Sequence, residues 1–167
     1  GAHRSHLGPS TWHMEFKCND CHLVPARWDD PGHLDLAPAE LTWSSHATAK
    51  GANPSFDGVT CSGSYCHGAT IAGGTNKKPT WADLTGAQMT CGTCHSLPPA
   101  SFPHLPSMTL AQCGTCHPAV FSTTGQWVNP ALHINGLVEV SGGACGACHD
   151  LPPATGAHLK HAGLAGA

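Results

Sequence analysis

The ten cysteines of this 167-residue sequence form five pairs, and a histidine follows the second cysteine of every pair. Two residues separate the cysteines in four pairs, and four residues separate them in the other. The motifs are Cys18, Cys21 and His22; Cys61, Cys66 and His67; Cys91, Cys94 and His95; Cys113, Cys116 and His117; and Cys145, Cys148 and His149. C-x-x-C-H is the attachment signal for c-type haem, in which two thiols add to the porphyrin vinyl groups and the adjoining imidazole binds iron. The sequence predicts five covalently bound haem c groups, with these cysteines as thioether donors and these histidines as proximal ligands.

Zinc binding and disulfide formation are the two alternative interpretations of the cysteine pairs. A zinc site pairs C-x-x-C units at ligand spacing, but it needs no histidine directly after every second cysteine. A disulfide scaffold fits the even number of cysteines, but it leaves the five histidines unexplained. The stretched motif that begins at Cys61 is the weakest single signal. It still ends in Cys-His, and it completes the pairing of all ten cysteines, so haem is the favoured interpretation.

Nine histidines lie outside the motifs, which exceeds the five needed to place a second imidazole on every iron. They are His3, His6, His13, His33, His46, His104, His133, His158 and His161. The sequence has only three methionines, so methionine cannot be the second axial ligand of all five irons. Because the axial ligand sets the haem potential and methionine raises it, bis-histidine ligation predicts a low-potential electron carrier. His46, in the longest haem-free stretch, either binds the second haem or has a structural role.

The composition does not favour an ordinary layered core. Charged residues make up 10% and aromatic residues 6% of the chain, beside 20 glycines and 14 prolines. Such a chain alone would be expected to be flexible, unless the large apolar faces of the haems form the core. We predict one pentahaem module over residues 1–167, mostly irregular, with a few short helices at or after the motifs, wrapped around a stack of five haems. Little sheet is expected, with brief strands at residues 41–43 and after the Asn135-Gly136 turn.

Charge and hydropathy exclude several classes of function. The net charge of −3 and the lack of a basic stripe argue against nucleic-acid binding. No apolar run approaches the ~20 residues of a transmembrane helix, so a membrane-spanning protein is not expected. Covalent haem attachment occurs outside the energy-transducing membrane, so we expect an exported protein from which any signal peptide has been removed. The segment from Gly73 to Pro79 lacks the spacing of a phosphate-binding loop and is interpreted as a surface connection.

Internal repeats accompany the motifs. Residues 91–104 and 145–158 are near copies, each with a proline pair and a closing histidine, and residues 18–33 are a looser copy. Proline cannot continue a helix, so these segments are predicted to run extended. An extended segment would allow its closing histidine to bind the iron of a neighbouring haem. The alternative is that the prolines merely stiffen a loop. The pattern Gly-Ala-His-x-x-His occurs at residues 1–6 and again at 156–161. Each copy either forms a short helix that presents both rings or sends each ring to a different haem.

These segments resemble the multihaem c-type cytochromes with mixed CxxCH and CxxxxCH motifs that occur in metal-reducing bacteria such as relatives of Geobacter. The resemblance is carried by residues 61–68, the two CxxCHxLPP segments, residues 133–136 and residues 156–161. It implies that His33, His104 and His133 are distal iron ligands, and that the remaining distal ligands come from His3, His6, His158 and His161. This chain departs from the pattern in carrying the paired histidines twice. Either one copy is redundant, or the copies serve haems across a subunit boundary.

The resemblance also implies an exported electron-transfer protein, and some multihaem cytochromes of such organisms polymerise into haem-lined filaments. We therefore expect electron transfer through closely spaced bis-histidine haems, outside the cell or at its surface, with self-association into a filament. Redox proteins or extracellular acceptors would be the partners. A soluble periplasmic shuttle and an excised module of a longer cytochrome are the alternatives. A haem-dependent reductase is a further alternative, but no residue is predicted to be catalytic.

Overall fold

The computed structural model describes residues 1–34, 36–101 and 104–140. Two α-helices, α1 (His3–Leu7) and α2 (Leu110–Cys116), and two strands, β1 (Ser55–Phe56) and β2 (Cys61–Ser62), are the longer regular elements there. Short 3-10 helices cover Cys18–Asp20, Ala49–Gly51, Tyr65–His67 and Pro130–Leu132. The prediction of a mostly irregular chain with a few short helices and little sheet is confirmed. The fifth motif and the repeats at 145–158 and 156–161 lie outside the described residues.

Local sequence explains where helix α2 begins and ends. Its N-terminus carries a Thr-x-x-Gln capping pattern, in which the backbone N–H of Thr109 donates to Oε1 of Gln112 at 2.7 Å. The helix ends at Cys116, and the backbone N–H of His117 donates to the Cys113 carbonyl at 2.8 Å. Pro118 follows, and a proline disfavours helical geometry in the residue before it. The helix therefore contains both cysteines of its motif and stops at the histidine.

Strands β1 and β2 form an antiparallel hairpin that leads into the stretched motif at Cys61. The turn at Asp57-Gly58 is held by the Asp57 carboxylate, which accepts from the backbone N–H of Val59 at 2.9 Å and that of Thr60 at 2.6 Å. These bonds, with one from the Thr60 hydroxyl, lower the pKa of Asp57 to about 2. The turn signal in the sequence is thus confirmed.

The two other expected strands do not form. In residues 41–43 the backbone N–H of Thr42 donates to the Cys21 carbonyl at 2.9 Å, so this segment binds the first motif instead of a neighbouring strand. In residues 137–140 the Glu139 carbonyl accepts a hydrogen bond from the His117 side chain at 2.6 Å. Within the described part of the chain, neither segment pairs with another strand.

Few side chains are buried in the described part of the chain. The buried apolar residues are Ala2, Phe16 and Ala47, and the buried polar residues are His13, Ser64 and Thr93. Large apolar side chains lie exposed instead, with Leu36 at 93% and Trp28 at 71%. The protein atoms alone therefore do not form an apolar core there. None of the described helices is long and apolar enough to cross a membrane.

Candidate metal centres

Each of the four described motifs places its histidine on or beside a tight turn. In the first motif the backbone N–H of His22 donates to the Cys18 carbonyl at 2.9 Å, as His117 does to Cys113. The stretched motif starts in strand β2, turns at Gly63 with φ of 69°, and ends in the Tyr65–His67 helical turn. The left-handed glycine absorbs the two additional residues. Both spacings thus deliver a cysteine and its histidine on one turn of chain.

The cysteines of the described motifs occur as thiols and not as disulfides at Cys18, Cys21, Cys61, Cys66, Cys91, Cys94 and Cys113. Burial is the main cause that raises the pKa of Cys66 to about 12, with smaller contributions from Cys21 and Asp20. Burial also raises the pKa values of Cys21, Cys61, Cys94 and Cys113. Zinc binds thiolates. Among residues 1–34, 36–101 and 104–140, no three or more His, Cys, Asp or Glu side chains converge to hold a metal ion, so a zinc-type cluster does not form there.

Three motif histidines each face a second histidine ring. The ring centroids are 6.2 Å apart for His3 and His22, 6.2 Å for His6 and His67, and 6.3 Å for His104 and His117. A metal–nitrogen bond of about 2 Å on each side, with about 1 Å from each nitrogen to its ring centre, separates two axial imidazoles by about 6 Å. All three separations match that span. The ring-to-ring distance of each pair is therefore the distance that an iron bound by both imidazoles requires.

Hydrogen bonds orient the rings of these pairs. The Nδ1–H groups of His6, His22, His104 and His117 donate to backbone carbonyls at 2.6–2.9 Å. A carbonyl oxygen only accepts, so Nδ1 carries the proton and Nε2 keeps its lone pair. Metal-binding histidines characteristically donate their other ring N–H in this way. His13, His33, His95 and His133 make the same type of bond, to Met14, Trp28, Ser96 and Trp12 respectively.

Helix α1 distributes its two histidines between two motifs. His3 faces His22 of the first motif, and His6 faces His67 of the second. Residues at i and i+3 share a helical face, so neighbouring motifs receive one ring each from a single turn. Both sequence-based alternatives for this repeat are combined here: the segment is a short helix, and its rings go to different sites.

A cleft lies beside the second motif. Its lining includes Cys61, Cys66 and His67, with His6 and the Trp81 ring. Burial is the main cause that lowers the pKa of His67 to about 4, and nearby His6 lowers it further, so the imidazole is neutral at pH 7. Neutral imidazole is the form that binds a metal. Two thiols, two imidazoles and an aromatic wall in one cleft fit a covalently attached haem.

His133 lies near the third motif. Its pKa is lowered first by burial and then by the nearby His95 and His13 side chains, against the raising effect of the Trp12 carbonyl. The Trp127 ring lies 4.7 Å from the His133 ring. His133 thus joins the N-terminal segment to the site at His95.

His104 lies beside the motif that follows its own segment. The repeat from Cys91 was predicted to run extended, but it bends at Leu97-Pro98 and again at residues 100–101, because the proline pair turns the chain there. That part of the prediction is wrong. The ring nevertheless lies beside His117, in the next motif along the chain.

His46 differs from the other histidines because its Nε2 is engaged. That nitrogen donates to the Ile134 carbonyl, and Nδ1 lies 3.7 Å from Oδ1 of Asp20. The side chain therefore connects the first motif to the segment around His133. This arrangement supports the structural alternative for His46.

The sequence did not single out His13. It is buried, lines the cleft beside His6, and keeps Nε2 free of the Met14 hydrogen bond. Its place among nine spare histidines was the only available signal. His33, by contrast, is exposed. The predicted residues Cys145, Cys148, His149, His158 and His161 lie outside the described residues.

Residues 60–95, which contain the second and third motifs, match the family model described as the Geobacter CxxxxCH...CXXCH motif. The match covers 36 of the 167 residues. The match supports the sequence-based resemblance to multihaem c-type cytochromes, and with it covalent haem c and electron transfer. No curated protein and no solved structure gives a significant match to the chain.

Proposed function

We propose that this protein is an electron-transfer cytochrome with five haem c groups and histidine ligands on both faces of the irons. The main support is the set of three histidine pairs whose ring centroids lie 6.2–6.3 Å apart. Each pair contains a motif histidine. When bound, the haem iron supplies one-electron oxidation and reduction. The protein residues attach the haem. Nδ1 hydrogen bonds orient one imidazole in the pairs of His22 and His67 and both imidazoles in the pair of His117, and they leave Nε2 of those rings for the metal.

The distal ligands follow from the same geometry. We assign His3 to the first site, His6 to the second and His104 to the fourth. His133 is assigned to the third site because it lies near His95. The fifth site, at His149, takes its second ligand from His33, His158 or His161.

Two imidazoles on an iron leave no exchangeable axial position, and the accessibility of that position separates electron transfer from activation of small molecules. The paired rings thus favour a carrier over a haem-dependent reductase. Low-spin iron in the native protein, with no binding of carbon monoxide after reduction, is the expected result. A high-spin signal that accounts for one haem or more would favour the reductase.

The placement of the first two sites supports electron transfer between them, because the His3 ring lies 6.2 Å from His22 of the first motif and the His6 ring lies 6.2 Å from His67 of the second. The His3 and His6 rings, one helical turn apart, belong to adjacent sites. A continuous series of neighbouring haems is therefore the arrangement we propose.

We further propose an extracellular or cell-surface location and assembly into a filament. The support is the duplicated Gly-Ala-His-x-x-His pattern: its first copy supplies two different sites, so a second copy with the same spacing can supply sites beyond one chain. A soluble periplasmic shuttle is the alternative.

The test begins with the natively purified holoprotein. A haem determination combined with intact mass should give five covalent haems per chain, and electron paramagnetic resonance should show low-spin iron throughout. Fewer haems with free thiols in the motifs would contradict the proposal. Electron microscopy separates the two assembly states, since filaments support the polymer and discrete particles support the shuttle.

A further inference from the structure

The segment between the second and third motifs, residues 71–79, lies at the surface as predicted, with every residue exposed or half-buried, and hydrogen bonds also hold it against both motifs. We call it the strap. Two of its backbone N–H groups donate to the third motif, Thr75 to the Gly92 carbonyl at 3.2 Å and Asn76 to the Thr93 carbonyl at 2.9 Å. Backbone hydrogen bonds that repeat along a segment hold it in a fixed register, so the strap lies directly against the C-x-x-C turn.

The strap also connects back to the second motif. The backbone N–H of Cys61 donates to the Pro79 carbonyl at 3.0 Å, and that of Ile71 donates to the Gly68 carbonyl at 3.2 Å. At the other end, Ser96 donates its backbone N–H to the Ala72 carbonyl at 3.2 Å. Both motifs are thus hydrogen-bonded to one short segment, the second at Cys61 and just after its histidine, and the third between its cysteines and just after its histidine.

Two glycines permit the close approach. A Cβ on Gly74 would lie 2.7 Å from the Cys94 carbonyl carbon and 2.7 Å from the Thr93 carbonyl oxygen. A Cβ on Gly68 would overlap the Cys94 carbonyl. Both glycines also have positive φ, 78° at Gly68 and 89° at Gly74, which residues with a side chain rarely adopt. Only residues without a side chain allow this backbone-to-backbone packing.

We propose that Gly68 and Gly74 are positioning residues that set the distance and angle between the haems attached at Cys61–Cys66 and at Cys91–Cys94. The inference rests on the proposed function, because it concerns the spacing of two haems in an electron-transfer chain. Gly68 follows the proximal His67 directly, and Cys94 is the second thioether donor of the next site. A shift at either contact therefore moves one haem relative to the other.

Lys77 provides a second, milder way to disturb the strap. Its Nζ donates to the Ile71 carbonyl and closes the segment on itself. The neighbouring Lys78 has an exposed side chain, and its recorded hydrogen bond comes from the backbone N–H to Asn76. Lys77→Met and Lys78→Met remove the same charge at adjacent positions, but only the first removes a bond that shapes the strap.

The experiment compares Gly74→Ala with Gly86→Ala in the full-length holoprotein. Gly86 has φ of 79°, and a Cβ there would meet nothing within 4 Å, so it reproduces the backbone strain without the close contact. Circular dichroism in the Soret band reports the coupling between neighbouring haems, which depends on their distance and angle. We expect Gly74→Ala to reduce or reshape the coupled signal, with the haem count unchanged and Gly86→Ala resembling the parent protein.

Equal spectra for Gly74→Ala and Gly86→Ala at full haem loading would overturn the inference. If Gly74→Ala does not accumulate fully loaded, the lysine pair decides: a change confined to Lys77→Met supports the positioning role, and identical spectra for both variants reject it. The haem count and spin state of the parent protein separate a failure of this inference from a failure of the proposed function. Five low-spin haems in the parent keep the function intact even when the strap has no effect on haem coupling.

Discussion

Replacement of His104 by alanine is the most direct test of the ligand assignment. The His104 ring lies 6.3 Å from the His117 ring and is oriented by a 2.8 Å bond from Nδ1 to the Ser101 carbonyl. If His104 binds the iron at the fourth site, its removal opens one axial position in a chain with five haem motifs. We expect about one fifth of the iron to become high-spin, and the reduced variant to bind one carbon monoxide per chain. Spin state is measured by electron paramagnetic resonance, and gas binding by titration of the Soret band.

His104→Met extends the same test to the redox potential. A thioether in place of the second imidazole raises the potential of that haem, because the axial ligand is a principal determinant of potential. One component of a spectroelectrochemical titration should move to higher potential while the others stay in place. His46→Ala is the matched control, since the Nε2 of His46 is bound to a backbone carbonyl. An all-low-spin His104→Ala protein, or the same high-spin fraction in both alanine variants, would refute the assignment.

Three further predictions concern the N-terminal region and the hairpin. His3→Ala and His6→Ala should each allow one carbon monoxide to bind per chain, because the two rings lie beside different motif histidines. The double variant should bind two, and a single binding event in it would contradict the assignment. His46→Ala should lower the free energy of unfolding by about 1–3 kcal/mol, because a carbonyl in the segment around His133 loses its donor, and denaturant titration with an unchanged haem spectrum is the measurement. The folded-state pKa of Asp57 lies below its ordinary value, so its contribution to the hairpin is complete above about pH 4 and is lost as the pH falls through about 2. In the parent protein, hydrogen exchange at the Thr60 amide should accelerate as the pH falls over that interval. In the Asp57→Asn variant, protection of this amide should not change with pH beyond the change in the intrinsic exchange rate.

The motif chemistry was predictable from sequence because it is local. The two thiols and the histidine of each site lie within five or seven residues, so their spacing fixes the turn that carries them. The 20 glycines and 14 prolines, with few charged and aromatic residues, likewise predicted a chain with little regular structure. Both inferences need only short-range geometry and composition.

The remaining features depend on contacts between distant parts of the chain. The Nδ1–H of His133 binds the carbonyl of Trp12, 121 residues away, and His46 binds that of Ile134, 88 residues away. No local pattern encodes such partners, which is why the second ligand of each site stayed open and His13 was missed. The packing of the strap was not predictable for a related reason. The sequence indicated a surface connection, but it did not show that at Gly74 the absence of a side chain permits tight packing on another segment.

The number of histidines leads to a final prediction, that chains supply haem ligands to one another. Five proximal ligands require five distal ligands, and we assign four of these to His3, His6, His104 and His133. Only the site at His149 remains, whereas four histidines besides the structural His46 have no assigned site, namely His13, His33, His158 and His161. If the second Gly-Ala-His-x-x-His pattern works like helix α1, its two rings serve two different irons, and one of those irons belongs to another copy of the chain.

Assembly and spin state should then be linked. We expect filaments by electron microscopy at high concentration, with low-spin iron throughout, and a high-spin fraction that grows when the filaments are dissociated by dilution. The double variant His158→Ala/His161→Ala should prevent filament formation while the sites at His22 and His67 stay low-spin. Monodisperse particles whose irons are all low-spin at every dilution would show that each chain supplies its own ligands. The surplus histidines would then lie outside the electron path, as His46 does.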